Sequence, residues 1–90
     1  MSENTHFVYM VMCADDTLYI GYAKDVKKRL HEHNHSPKGA KYTRGRRPVR
    51  LVYTTSFETL SEALKYEYAL KQKKRQEKLL LIKQHEMDLE

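Results

Sequence analysis

The chain has 90 residues, which is enough for one domain (residues 1–90) and leaves no room for a second core. Its hydrophobic content of 40% suits a small core, and no apolar run approaches the roughly 20 residues that a membrane span needs. A net charge of +5 and a pI near 9.4 favour an anionic partner, most often a nucleic acid. The single cysteine, Cys13, excludes an internal disulfide, and no signal peptide is visible. We therefore expect a cytoplasmic protein without membrane contact.

Two β-rich segments near the start of the chain predict a hairpin. The continuous apolar run Phe7–Cys13 is typical of a central strand that is buried on both faces. Residues 14–17 supply turn chemistry, and the segment Leu18–Tyr22 is predicted to form the second strand.

A helix and a basic loop are predicted next. Asp25 is the expected N-cap, and Val26, Leu30 and His33 follow it at helical spacing. The helix is expected to end near Asn34, because a serine, a proline and a glycine follow. Residues 36–47 are then predicted to form a basic loop.

The remaining segments predict one strand and two helices. Residues 49–55 are β-rich, and Thr59 and Glu62 have the spacing of a capping box that begins a helix running to about Lys73. Residues 79–82 mark a third helix after a kink near residues 74–76. The order β-β-α-β-α-α predicts an α+β fold, a three-stranded sheet with helices on both faces.

One carboxylate, Glu67, lies within the predicted apolar stripe of the second helix. The other members of that stripe are Leu60, Ala63, Leu64 and Leu70. Burying an ionised carboxylate costs several kcal/mol unless a partner offsets the loss of water. Two interpretations remain open: an ion pair with Lys71 at i+4, or a ligand for a hard cation such as Mg²⁺, which takes few protein carboxylates.

Two tyrosines, an arginine and a histidine are the other candidates for chemistry. Tyr9 and Tyr19 lie on the two strands of the hairpin, and packing in the core is their alternative role. Arg29 and His33 are neighbours on one helix face, where Arg29 can clamp a phosphate and His33 can relay a proton. A phenol beside a cation can orient or deprotonate a water molecule. Together with Glu67, these groups supply what cleavage of a phosphodiester needs.

The predicted loop and the residues just after it carry a basic cluster without an intervening acid. Its cations are Lys38, Lys41, Arg44, Arg46, Arg47 and Arg50. We predict non-specific phosphate contacts from Lys41, Arg44, Arg46 and Arg47, with Tyr42 available to stack on bases. A zinc site at His31 and His35 is not predicted, because no further ligand follows at a matching spacing.

At these residues the chain resembles the GIY-YIG nuclease superfamily. Phe7-Val8-Tyr9 stands at the first motif, Tyr19-Ile20-Gly21 matches the second, and residues 21–30 resemble the helix that carries the family arginine. His33-Asn34 resembles the His-Asn pair of the Slx-type nucleases, and Glu67 falls where the family has its metal-binding glutamate. Residues 39–49 are similar to the small stand-alone bacterial YhbQ-like branch.

The resemblance implies a three-stranded antiparallel sheet and single-metal hydrolysis of DNA. It gives Tyr9, Tyr19 and His33 a role in proton transfer, Arg29 the phosphate, and Glu67 the Mg²⁺ or Mn²⁺. Two departures stand out: Phe7 replaces the glycine of the first motif, and no asparagine follows Glu67 closely.

We therefore expect a metal-dependent endonuclease, structure-specific or related to DNA repair, that acts on duplex, branched or single-stranded DNA. The chain carries no separate DNA-targeting domain, so a partner protein is a candidate for that task. Two alternatives remain: a nucleic-acid-binding module with weak or no catalysis, and an interaction subunit that supplies a fold to a partner enzyme.

Overall fold

The computed structural model describes residues 5–88, which form a three-stranded antiparallel sheet flanked by helices. The strands are β1 (His6–Met12), β2 (Leu18–Ala23) and β3 (Arg50–Phe57), in the spatial order β2-β1-β3. The helices are α1 (Val26–His35), α2 (Lys41–Arg44), α3 (Leu60–Gln72) and α4 (Arg75–Asp88). The predicted fold class and the central position of the first strand are confirmed. Within residues 5–88, no helix has the length and apolar character to cross a bilayer.

The turn of the hairpin sets the register of β1 and β2. The backbone N–H of Thr17 donates to Oδ1 of Asp15 at 3.1 Å, and Asp16 adopts a positive φ of 65°. This local hydrogen bond is the turn chemistry that aspartate provides. In the resulting antiparallel register, Tyr9 pairs with Gly21 and Val11 pairs with Tyr19. Tyr9 and Tyr19 therefore lie on adjacent strands, as predicted, and on the same face of the sheet.

The two faces of the sheet bury different clusters, because successive side chains of a strand point to opposite sides. One cluster packs under α3 and α4 and contains Val8, Met10, Ile20, Val52, Ala63, Leu70 and Ile82. The other packs under α1 and contains Tyr9, Val11, Cys13, Ala23 and Val49, with Tyr19, Val26 and Leu30 at its edge. Tyr9 and Tyr19 point to this second face, where α1 brings Arg29 and His33, whereas Glu67 lies on α3, which packs on the first face.

Side-chain caps begin α1 and α3 where the sequence predicts them. Oδ1 of Asp25 accepts from the backbone N–H of Lys28 at 3.0 Å, and Oγ1 of Thr59 accepts from that of Glu62 at 3.1 Å. The prediction of an uninterrupted loop over residues 36–47 was wrong in one respect, because it contains the four-residue helix α2. One turn of helix is too short to show a hydrophobic period.

The buried face of α3 differs from the predicted stripe. Ala63 and Leu70 are fully buried, but Leu60 and Leu64 are 46% and 43% exposed. Helix α3 therefore turns Ala63 and Leu70 toward the sheet, a spacing of seven residues or two turns. As a consequence Glu67 lies at the edge of the buried face, with 18% of its side chain exposed, rather than in the middle of it.

The side chains of Asn34 and Arg47 anchor the segment between α1 and β3 through hydrogen bonds. Nδ2 of Asn34 donates to the carbonyl of Val49 at 2.9 Å, and Oδ1 accepts from the N–H of Val49 at 2.7 Å. The Arg47 guanidinium donates to three carbonyls at the end of α1, those of Glu32, His33 and Ser36. The Glu32 carbonyl also accepts from the N–H of Ser36 and the Ser36 carbonyl from that of Gly39, so Arg47 adds charged donors to the C-terminal end of α1 and acts as a side-chain cap.

Replacing Arg47 with alanine is expected to lower the free energy of unfolding by about 2 kcal/mol, since hydrogen bonds to a charged donor are worth about 1.5–3 kcal/mol. The matched control is Arg44→Ala. Arg44 is exposed and makes no hydrogen bond or ion pair with the described residues. Its substitution should change the free energy of unfolding by less than about 0.5 kcal/mol. Urea unfolding of both variants measures the difference, and equal stabilities would contradict the capping role.

Candidate active site

The centre of the site is a buried hydrogen bond between β1 and α1. The hydroxyl oxygen of Tyr9 lies 2.7 Å from Nε2 of His33, and both side chains are almost fully buried. Gly21 makes room for this hydroxyl group. A Cβ at position 21 would lie 2.6 Å from Cζ of Tyr9 and still closer to its oxygen. Because Gly21, the glycine of the second motif, has no side chain, the ring of Tyr9 from the first motif can pass over strand β2.

Arg29 brings a positive charge to the same hydroxyl group. Its Nη1 donates to Oε1 of Glu32 at 3.1 Å and to the carbonyl of Lys38 at 2.9 Å. Burial opposes its charge, but the side chains of Glu32 and Tyr9 outweigh that effect and raise the pKa of Arg29. The guanidinium is therefore held, charged, beside the Tyr9 oxygen.

The protonation of Tyr9 and His33 reflects their burial. Burial raises the pKa of Tyr9 to about 12, and the nearby Tyr19 adds to this, while Arg29 opposes it. Burial also lowers the pKa of His33, and the positive charge of Arg29 lowers it further. At neutral pH the pair therefore consists of a neutral phenol and a neutral imidazole.

Glu67, on α3, acts on this group through its charge. Its carboxylate is close enough for its charge to act on the Tyr9 hydroxyl group, where it favours the protonated form. The ion pair with Lys71 that the sequence left open is present, with Oε2 of Glu67 3.3 Å from Nζ of Lys71. Half of the Lys71 side chain is exposed, so that it can leave the carboxylate at little cost. The structure thus contains the ion pair, and the charge of Glu67 still acts on the Tyr9 hydroxyl group.

Tyr19 lines one wall of the site. Its ring packs edge-on against His33 with centroids 5.4 Å apart, and it stacks with Tyr42 at 5.8 Å. The Arg46 guanidinium lies 4.0 Å from the centroid of the Tyr42 ring. This stack joins the hairpin to helix α2.

The predicted nucleic-acid contacts divide into two groups. Lys41 and Arg44 are exposed on α2, and Tyr42 is 38% exposed. Arg46 instead pairs with Asp15 at 3.0 Å and donates to the carbonyl of Tyr42, and Arg47 caps α1. Arg46 and Arg47 therefore donate to other parts of the protein. Of the predicted cations, Lys41 and Arg44 are the two that α2 exposes to solvent.

The donor set around Glu67 fits a hard divalent cation better than zinc. Among residues 5–88, no group of three or more histidine, cysteine or acidic side chains is placed to hold a metal ion. His31 and His35 approach each other with ring centroids 4.7 Å apart, but they are exposed and have no third ligand. Mg²⁺ commonly binds through one or two carboxylates and keeps several waters. Glu67 supplies one such carboxylate.

Comparison with known families identifies the family of this domain. The model of the GIY-YIG catalytic domain matches residues 5–80, most of the chain. The chain belongs to the GIY-YIG family. The matched residues include Tyr9, Tyr19, Arg29, His33 and Glu67.

Relatives of this GIY-YIG domain are of similar length. A UPF0213 protein of Staphylococcus aureus strain Mu3 is 58% identical over 81 residues, covering 90% of this chain and 98% of the relative. The solution NMR structure of a UPF0213 protein from Bacillus halodurans is 46% identical, with a TM-score of 0.57, and covers 88% of this chain and 83% of that one. A solution NMR structure from E. faecalis is 43% identical with a TM-score of 0.63, covering 96% and 88%.

Sequence reasoning did not find the groups that surround the other side of His33. Oγ1 of Thr43 lies 3.1 Å from Nδ1 of His33, and the backbone N–H of Ala40 donates to the same atom at 3.3 Å. Thr43 is completely buried on a four-residue helix, which is unusual for a polar side chain in a basic segment. Its contact with His33 spans ten residues, so no local spacing rule reveals it.

Proposed function

We propose that this GIY-YIG domain is a divalent-metal-dependent endonuclease that hydrolyses phosphodiester bonds in DNA. The observation that supports the proposal is the buried hydrogen bond of the Tyr9 hydroxyl group with His33, together with the charges of Arg29 and Glu67, from two different helices, that act on the same hydroxyl group. A phenol, a fixed cation and a carboxylate are suited to an attack by water on a phosphate.

The residues divide the work by their chemistry. Arg29 holds a phosphate oxygen and offsets the charge that grows on it during the attack. Tyr9, protonated at neutral pH, orients the attacking water through its oxygen, and the positive charge of Arg29 counteracts the effect of burial on its pKa. Glu67 is the residue that would hold Mg²⁺ or Mn²⁺. Such a cation supplies positive charge to the phosphate when it is bound.

DNA substrates with branches or flaps are the first to test, because we propose a structure-specific role in DNA repair. Wild-type protein is expected to cleave at least one branched, flapped or single-stranded DNA in Mg²⁺ or Mn²⁺ and none in EDTA. Gel analysis of end-labelled substrates measures the cleavage. Equal cleavage in EDTA would overturn the metal dependence.

The exposed cations of α2 are proposed to contact the DNA backbone. Each phosphate contact contributes about 0.9 to the slope of log K against log salt on duplex DNA. The double variant Lys41→Ala, Arg44→Ala is therefore expected to flatten this slope by up to about 1.8. Fluorescence anisotropy at several salt concentrations in EDTA measures it. An unchanged slope would remove α2 from the binding surface.

A second candidate is a nucleic-acid-binding module with weak or no catalysis. The observation that favours it is the ion pair of Glu67 with Lys71, which occupies the carboxylate. Salt-sensitive binding by wild-type protein, without cleavage of any tested DNA in Mg²⁺ or Mn²⁺, would select this candidate.

A further inference from the structure

The two ring nitrogens of His33 have different partners, and the difference fixes where the ring carries its proton. Nε2 lies 2.7 Å from the Tyr9 oxygen, which can both donate and accept. Nδ1 faces the backbone N–H of Ala40 at 3.3 Å and Oγ1 of Thr43 at 3.1 Å. His33 has no exposed surface, so bulk water cannot replace these partners.

Of these partners, the Ala40 amide alone cannot change roles. A backbone N–H only donates, and this one has no other acceptor among the described hydrogen bonds. The Thr43 hydroxyl group adapts to either form of the ring. It can donate to the Ala40 carbonyl, 2.8 Å away, while accepting from Nδ1, or it can donate to Nδ1 itself. Only an unprotonated Nδ1 can accept the hydrogen bond of the Ala40 amide.

We propose that the Ala40 amide holds His33 as the neutral tautomer with its hydrogen on Nε2, so that His33 donates to the Tyr9 oxygen. In this arrangement His33 is a positioning residue. It cannot take the proton of Tyr9, because the lone pair that would accept it lies on the far side of the ring. The Tyr9 hydrogen points away from His33, and the Nε2–H stays bonded to the oxygen if Tyr9 loses its proton. The burial that lowers the pKa of His33 also keeps the ring neutral.

Gly39 is what brings the Ala40 amide to the ring. A Cβ at position 39 would lie 2.6 Å from the Glu32 carbonyl oxygen and 2.9 Å from Cα of His33. Gly39→Ala therefore pushes the amide away without removing any group that bonds to the ring. Thr43 then remains as the partner of Nδ1, and as long as its hydroxyl group donates to the Ala40 carbonyl, its oxygen can only accept a hydrogen from Nδ1.

The test is the tautomer of His33, read from the ¹⁵N shifts of its ring nitrogens in protein labelled at histidine, without DNA or metal. The variant His33→Gln identifies the His33 signals by their loss. Wild-type protein is expected to show a protonated Nε2 and an unprotonated Nδ1, with at least about a tenfold excess over the other tautomer, since an unpaired buried N–H is costly. Thr43→Val should keep this form, and Gly39→Ala should shift the population toward a protonated Nδ1.

A protonated Nδ1 in wild-type protein would overturn the proposal, as would Thr43→Val changing the tautomer while Gly39→Ala leaves it unchanged. If Gly39→Ala does not fold, the wild-type and Thr43→Val spectra still decide. The tautomer of His33 can be measured whether or not the protein cleaves DNA. Only the conclusion that His33 positions Tyr9 for catalysis rests on the proposed function. A failure of either proposal is therefore recognised separately.

Discussion

Replacing Glu67 with glutamine is expected to abolish Mg²⁺-dependent cleavage while leaving the fold and DNA binding nearly intact. Glutamine keeps the shape of the side chain but loses the charge that attracts a hard cation. The free energy of unfolding should fall by only a few tenths of a kcal/mol, because the lost ion pair with Lys71 is an i,i+4 pair whose lysine is half exposed.

Lys71→Gln is the matched control, since it breaks the same ion pair and keeps the carboxylate. If Glu67 binds the metal, this variant should retain cleavage, while Glu67→Gln loses it. If Glu67 serves only the ion pair, both variants should lose the same small amount of stability and cleave alike. Cleavage of flapped DNA at equal folded concentration, with and without Mn²⁺, separates the two outcomes.

Replacing Gly21 with alanine is expected to damage both stability and cleavage. The added methyl group would overlap the Tyr9 ring, so the hydroxyl group must move and its 2.7 Å hydrogen bond with His33 must lengthen. Inserting a methyl group into a packed core costs about 1–3 kcal/mol. A displacement of about 1 Å at reacting groups can reduce a rate about 100-fold, and we expect a loss of this size.

Gly45→Ala controls for the general effect of removing a glycine. Gly45 has a φ of −89°, which alanine adopts readily, and a Cβ there would meet nothing within 4 Å. This substitution should leave the protein unchanged or stabilise it by about 0.4–1 kcal/mol through the unfolded state. Urea unfolding and cleavage rates are measured for both variants. A Gly21→Ala protein as stable and active as wild type would show that Tyr9 does not need this space.

The backbone of this protein is largely predictable from its sequence, because its signals are local. The aspartates of the hairpin turn, the Asp25 cap and the Thr59 cap each act within three residues of themselves. The alternation of the two hairpin strands also places Tyr9 and Tyr19 correctly.

Tertiary contacts decide what the sequence could not predict. Arg44 and Arg47 look alike in the sequence, but only Arg47 reaches the carbonyls at the end of α1. The buried face of α3 could not be chosen because Leu64 and Leu70 have equal hydrophobic character, and the sheet accepts only Leu70. The site residues are candidates because of their types and spacing, the resemblance adds their roles, and those roles stay predictions.

The fastening of residues 36–48 at both ends has an evolutionary consequence. Asn34 and Arg47 anchor this segment, and within it Gly39 and Thr43 face inward against α1 and His33. The side chains of Lys41 and Arg44, which face solvent on α2, make no hydrogen bond or ion pair with the described residues. Substitutions at these outward positions should therefore leave the anchoring contacts and the surroundings of His33 unchanged. Under the proposed function, selection could therefore change the DNA contacts and the groups around His33 separately, within a single stretch of thirteen residues.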